Sequence, residues 1–184
     1  SAAPAEPRLF DASATVSFVN PIDLMGQSRA FDVANGPAAV EAELAGAVQT
    51  STGTAGLVKR GAGLLRLSAT NLYNGPTAIE GGILRLGVAE ALPAGSVVTQ
   101  ANVAGAGLDL NGLSVTPAGL TGGGAAGGFV TNGSTSALAV LTFSNTSYQA
   151  YAGAILAGSS NIAVVKLGTG TQLLAGASTY TGGT

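Results

Sequence analysis

At 184 residues, 46 % of them apolar and 9 % charged, the chain is too hydrophobic and too weakly charged for a disordered tract, and its length suits one domain or one stretch of solenoid. It contains no cysteine and no histidine, which excludes disulfides, thiolate nucleophiles, Cys/His zinc sites and histidine acid–base chemistry together. A formal charge of −2 with only seven lysines and arginines argues against nucleic acid or anionic lipid as a partner, and 29 glycines without a three-residue period exclude collagen.

In chain order, Ser1 to Arg8 has two prolines and no hydrophobic periodicity, so residues 1–9 are expected to form a flexible lead-in and residues 10–184 one repeat region. The start lacks the charged and apolar regions of a signal peptide, and no apolar run approaches the roughly 18 residues of a membrane-spanning helix. Val40 to Leu44 opens a series of short alternating segments, followed by Leu65-Arg66-Leu67, Leu84-Arg85-Leu86, Leu108-Asp109-Leu110 and Leu138-Ala139-Val140. Each puts branched side chains on one face and a different residue on the other, the period-two signature of a half-buried strand. Segment starts at 65, 84 and 108 are too close for βαβ units but suit turns of a parallel β-helix with two or three short strands each. Helical periodicity is weak throughout, and the best candidate, the single turn Val88 to Leu92 ahead of Pro93, reads as part of a loop.

Glycine-rich corners separate these segments. Asn74-Gly75-Pro76, Gly81-Gly82, Asn111-Gly112 and Asn132-Gly133 are expected to supply positive φ angles at tight bends, and residues 119–128 read as a broad exposed loop or a sharply turning coil. Gly122 to Gly127 satisfies G-x-G-x-x-G, but the following Phe129-Val130-Thr131-Asn132-Gly133 is strand and turn material rather than the helix a dinucleotide site needs. Ala104 to Leu110 resembles a calcium-binding nonapeptide, yet it occurs once and reads better as a strand. Glu41 and Glu43 share the face opposite Val40, Ala42 and Leu44, which leaves both in solvent, and Arg66, Arg85 and Asp109 are expected to form an outward charge ladder. Asn145-Thr146-Ser147 fits a glycosylation acceptor. No catalytic, cofactor-binding or metal-ligating residue is assigned.

One long block occurs twice. Val58, Lys59, Gly61, Gly63, Leu67, Tyr73, Gly75 and Thr77 recur as Val165, Lys166, Gly168, Gly170, Leu174, Tyr180, Gly182 and Thr184, a constant shift of 166 − 59 = 107. Phe31 to Gly46 lies over Phe143 to Gly158 at a shift of 112, which places the five-residue difference in the polar stretch 47–56 and the copies at about 31–77 and 143–184. Copies of one unit at this spacing point to stacked coils. Tyr73 and Tyr180, being equivalent, are expected to pack at the same corner of two coils.

Lys59-Arg60-Gly61-Ala62-Gly63-Leu64-Leu65-Arg66-Leu67 with Asn71, Tyr73, Gly75 and Thr77 resembles the passenger-associated repeat of autotransporters, roughly K-x-G-x-G-x-L-x-L-x-G-x-N-x-Y-x-G-x-T, and the second copy is similar with Ser178 in place of the Asn. The resemblance implies a right-handed parallel β-helix in the secreted passenger of a Gram-negative bacterium, extracellular or on the outer-membrane surface. If each coil takes about 20 to 24 residues, the chain makes about seven coils. The expected function is a non-enzymatic stalk or adhesin scaffold without cofactors, whose partners are adjoining passenger repeats or copies of itself stacked on coil ends. A filament subunit that polymerises head to tail through open coil ends is the alternative. A polysaccharide-degrading enzyme using Glu41 or Glu43 ranks third.

Overall fold

The structure, a computed structural model, describes residues 8–9 and 13–184. The described chain winds as a parallel β-solenoid, each turn offering up to three short strands. Turn 1 holds β1 (Arg8–Leu9), β2 (Val16–Phe18) and β3 (Ile22–Asp23), and turn 2 holds β4 (Arg29–Val33), β5 (Ala42–Leu44) and β6 (Val48–Gln49). Next come β7 (Leu57–Arg60) and β8 (Leu64–Leu67), then β9 (Thr77–Ile79) and β10 (Ile83–Leu86), then β11 (Val97–Gln100) and β12 (Gly107–Asp109). Turn 6 holds β13 (Gly119–Gly122), β14 (Phe129–Thr131) and β15 (Ala139–Phe143), turn 7 holds β16 (Gln149–Tyr151), β17 (Ala154–Ile155) and β18 (Ile162–Lys166), and β19 (Gln172–Leu174) begins the next.

Like members of each turn stack into faces. The first face runs β1-β4-β7-β9-β11-β13-β16-β19, so its eight strands bound seven turns, and the second runs β2-β5-β8-β10-β12-β14-β17. The third face is in two pieces, β3–β6 and β15–β18, extended by single bridges at Leu72 and Val115. Between them turn 4 substitutes a 3-10 turn at Ala89–Ala91, inside the stretch read from the sequence as a loop. First-face register advances by 24, 28, 20, 21, 22, 29 and 23 residues per turn, read from the pairs Arg8↔Asp32, Phe31↔Lys59, Lys59↔Ile79, Ile79↔Gln100, Gln100↔Gly122, Gly122↔Tyr151 and Tyr151↔Leu174. Two turns thus exceed the expected length, because longer corner loops cost little closure entropy.

Alternation fills the tube. On the second face Ala42, Leu65, Leu84, Leu108, Val130 and Ile155 stand in one register column, all essentially inaccessible to solvent. Each such branched side chain contributes about 1.5–3 kcal/mol by leaving water. One expected phase is inverted: Leu138 is exposed and Ala139, Leu141 and Phe143 face inward. The longer set ending in Phe143 wins, because the opposite phase would bury Thr142 and expose an aromatic ring.

The chain start and one corner bear on further expectations. Ser1 to Pro7 lie outside the described residues, while Arg8 and Leu9 already pair with Asp32 and Val33. Of the two readings of residues 119–128 the sharply turning coil holds: β13 buries Leu120, and a Gly124↔Gly127 antiparallel bridge makes a sharp corner before β14. Above Leu120 the ladder lacks a backbone partner, since β13 and β16 meet only at Gly122↔Tyr151. Gln172 fills in from farther along: its Oε1 accepts from the Leu120 N–H (3.1 Å) and its Nε2 donates to the Leu120 carbonyl (2.8 Å), so a side-chain amide stands in for a peptide group.

Candidate functional site

The repeated residues converge on the contacts between coils, beginning with Lys59. Its β7 position alternates inward, in register with Phe31 and Ile79, so the side chain is fully buried. At the end of β7 Gly61 takes φ +74°, which turns the carbonyls of Arg60 and Gly61 back toward the amine. Nζ donates to Arg60 O (2.6 Å), Gly61 O (2.8 Å) and, from the next turn, Gly81 O (3.0 Å). All three ammonium donors therefore have acceptors, and one of them ties turn 3 to turn 4.

Burial pulls the Lys59 amine down to about 8, opposed by the nearby Asp32 and Glu41 carboxylates. An unfolded chain holds that proton up to the ordinary lysine range near 10.4, so between these values the unfolded state binds more protons and stability rises with pH. We expect the unfolding free energy from urea titration to climb by up to about 1–2 kcal/mol from pH 8 to 9.5, and a flat profile there would contradict the burial. Burial raises the Tyr73 phenol to about 12 and pushes Tyr151 up as well, which reverses the slope only above the ordinary tyrosine value near 10.

The repeat glycines are set by how closely the previous turn approaches. A Cβ on Gly61 would lie 2.3 Å from Val33 O, and one on Gly168 2.2 Å from Asn145 O. Gly63 and Gly170 would each meet a carbonyl at 2.3 Å, of Ala34 and Ser147. Gly75 and Gly182 would press on Ala55 and Ile162 backbone at 2.6 Å. Gly75 has no positive φ, so its requirement is space rather than the bend expected from its Asn-Gly-Pro context. Gly75→Ala should cost about 2 kcal/mol by forcing two coils apart, while Gly95→Ala, with nothing within 4 Å, should leave the thermal midpoint unchanged.

The two copies share most of these contacts. Gly75 N–H donates to Ala55 O as Gly182 N–H does to Ile162 O, and Leu57 N–H to Pro76 O as Val164 N–H to Gly183 O. Tyr73 Oη meets Thr77 Oγ1 at 2.6 Å and Tyr180 Oη meets Thr184 Oγ1 at 3.0 Å. Val48 N–H donates to Asn71 Oδ1, and Ile155 N–H to Ser178 Oγ, so the Asn-to-Ser change keeps the acceptor. Leu67 is buried and pairs with Leu86 and Leu44, whereas Leu174 is half-buried and pairs with Tyr151. Lys166 Nζ bonds Gly168 O, as Lys59 bonds Gly61 O, but Lys166 is exposed. The length difference between copies falls elsewhere than expected: Val33 matches Asn145 as acceptor for Gly63 and Gly170, and Leu44 matches Tyr151 as acceptor for Ser68 and Ala175. The shift changes from 112 to 107 inside corner 34–41, not in 47–56.

Equivalent residues do not share a face. Lys59 lies on the first face of turn 3 and Lys166 on the third face of turn 7, so one copy is displaced from the other by four turns and two faces.

The acidic residues singled out in the sequence bond within the coils. Glu41 is buried rather than solvated, since it precedes β5 at a corner where strand alternation does not apply. Its oxygens accept from Gly36 N–H (3.1 Å) and Leu64 N–H (2.7 Å). Glu43, Arg66, Arg85 and Asp109 do form a ladder in register, with Arg66–Glu43 at 3.9 Å and Arg85–Asp109 at 2.8 Å. Asp109 is buried, and its Oδ1 also accepts from Asn111 and Gly133 N–H groups, which leaves it engaged within the coils. Among the described residues no three His, Cys, Asp or Glu side chains gather to hold a metal. Asn145 is buried with both amide hydrogens donated, to Ser147 O and Thr171 O, so it is no glycan acceptor in the folded state.

Sequence reasoning missed the buried asparagines that fasten three turns at once. Asn71 accepts from Val48 in turn 2 and donates to Ala91 O in turn 4. Asn132 is inaccessible to solvent: Oδ1 accepts from Gly112 (2.7 Å) and Ser134 (3.2 Å), and Nδ2 donates to Ala137 O (2.7 Å) and Asn161 O (3.0 Å). A groove on the third face, lined by Leu72, Leu92, Pro93 and Val115, marks where the 3-10 turn interrupts that sheet.

A family model for the passenger-associated-transport-repeat matches residues 57–86 and 164–184, the stretches that carry these contacts. The chain is 41 % identical over 163 residues to an adhesin, "Adhesin BmaC autotransporter", of Brucella suis biovar 1 (strain 1330). That alignment covers 85 % of this chain and 4 % of the Brucella protein, so the chain spans a small part of its relative's length. No solved structure matches.

Proposed function

This chain is an autotransporter passenger-associated-repeat protein, and from that premise we propose that it is a non-enzymatic length of extracellular β-solenoid, a stalk or adhesin scaffold on the surface of a Gram-negative bacterium. The observation that carries the proposal is where the repeated residues act: Lys59, Gly61, Gly63, Gly75 and Thr77 make coil-to-coil contacts, and Tyr73 is buried in the core with its hydroxyl on Thr77. Their chemistry is that of holding a rod together. Seven turns at about 4.8 Å each give roughly 34 Å of rod. Its partners are the adjoining repeats of a longer passenger, which continue the same stack.

The test uses a complete passenger displayed on cells, with residues 58–164 deleted. A scaffold predicts continued display, a passenger shortened by about 22 Å at 4.8 Å per turn, and unchanged binding by its other regions. Loss of adhesion with intact display would transfer the binding role to this segment, and cleavage of an acidic polysaccharide by the purified chain would overturn the non-enzymatic reading. Uniform fibres of the purified chain in electron microscopy would replace the scaffold with a head-to-tail polymer.

A further inference from the structure

We propose that the folded chain undergoes spontaneous deamidation at Asn35, and that the coils suspend the same reaction at Asn74, Asn111 and Asn132. Four asparagines precede glycine: Asn35-Gly36, Asn74-Gly75, Asn111-Gly112 and Asn132-Gly133. Glycine lacks the Cβ that would keep its backbone nitrogen away from the preceding side chain. In the reaction that nitrogen bonds to the asparagine Cγ, the Cγ–Nδ2 bond breaks, and ammonia leaves with the proton the backbone nitrogen gave up. Water then opens the cyclic imide at either carbonyl, giving aspartate or a β-linked isoaspartate. Two conditions must hold, a glycine N–H free to approach and an asparagine side chain free to rotate.

At three sites the coils deny both. Gly75 N–H is held by Ala55 O (2.8 Å), while the Asn74 side chain bonds Ala55 N–H and Gly53 O, both at 3.1 Å. Gly112 N–H is held by Asn132 Oδ1 (2.7 Å), and Asn111 Nδ2 by Leu86 O (3.1 Å). Gly133 N–H is held by Asp109 Oδ1 (2.8 Å), and Asn132 has its four bonds.

Asn35 differs in its free side chain and in where its glycine is held. It is exposed and, among the described residues, its side chain makes no hydrogen bond, while the Gly36 N–H is held by the Glu41 carboxylate at 3.1 Å within the same corner, where Gly112 and Gly133 are held by side chains of other turns. It lies in corner 34–41, the longer loop for which the second copy has no counterpart. A loop can open without parting two coils, whereas the other three sites react only through loss of coil contacts.

The test is peptide mapping of the intact chain after incubation at mildly alkaline pH, native and in concentrated urea, reading the one-dalton gain at each site. Native protein should deamidate at Asn35 at least about tenfold faster than at the other three sites, and urea should bring all four to similar rates. Native reaction at Asn74, Asn111 or Asn132 as fast as at Asn35 overturns the proposal, as does a native chain in which Asn35 is spared. Asn35→Gln, at an exposed position, should abolish the native product and leave the urea products at the other sites.

Discussion

Lys59→Met lowers the unfolding free energy by about 3–5 kcal/mol, while Lys166→Met, at the equivalent position of the second copy, changes it by less than about 1 kcal/mol. Methionine fills most of the space but donates nothing, so the carbonyls of Arg60, Gly61 and Gly81 lose their donor inside the tube, and Asp32 and Glu41 lose a neighbouring cation. Lys166 is exposed, and water replaces its contact with Gly168. Urea unfolding followed by circular dichroism reads both, with an unchanged slope confirming comparable folded states. Equal losses for the two lysines would mean that burial by the next coil is not what gives Lys59 its weight. Lys59→Met should also erase the stability rise between pH 8 and 9.5, which separates titration of this amine from any general alkaline effect.

Asn132→Asp is the second large effect, again about 3–5 kcal/mol at neutral pH. Aspartate has the same shape and keeps the acceptor for Gly112 and Ser134, but it turns a donor into an oxygen facing the carbonyls of Ala137 and Asn161. A buried carboxylate in that setting takes up a proton more readily than in the unfolded chain. Its folded pKa is therefore raised, the unfolded state releases its proton first, and stability falls as pH rises above the ordinary aspartate value near 3.9. The variant should accordingly be more stable at pH 5 than at pH 7 relative to wild type. A midpoint that tracks wild type at both pH values would show that the four bonds are replaceable by water.

Much of this architecture was legible in the residues. Leu65 and Leu67, or Leu84 and Leu86, alternate with arginines that the tube cannot accept, so their phase had one answer. Leu138-Ala139-Val140 had two, and the deciding residue, Phe143, stood outside the window. Glu41 shows the limit of alternation: at a corner, backbone N–H groups left without ladder partners recruit a carboxylate inward. The repeat marked Lys59, Gly61 and Gly75 as important without disclosing why, because a repeat records that a position is constrained and not which neighbour constrains it. Asn132 gave a turn signal, and asparagine next to glycine does occupy bends, but its value here is a four-bond side chain that only the stacking of three turns reveals. The displacement of the copies was hidden for a related reason. Turns of 20 to 29 residues cannot be counted from a distance of 107.

That displacement has a geometric corollary for any longer rod built from such copies. Each added copy would carry a given surface marker upward by about 22 Å and around the axis by two-thirds of a revolution, returning to its starting bearing after three copies, fourteen turns and about 67 Å. Identical epitopes would then climb the shaft as a spiral stair facing three compass directions, so a bulky binder could occupy neighbouring steps without collision where an integral pitch would crowd them along one side.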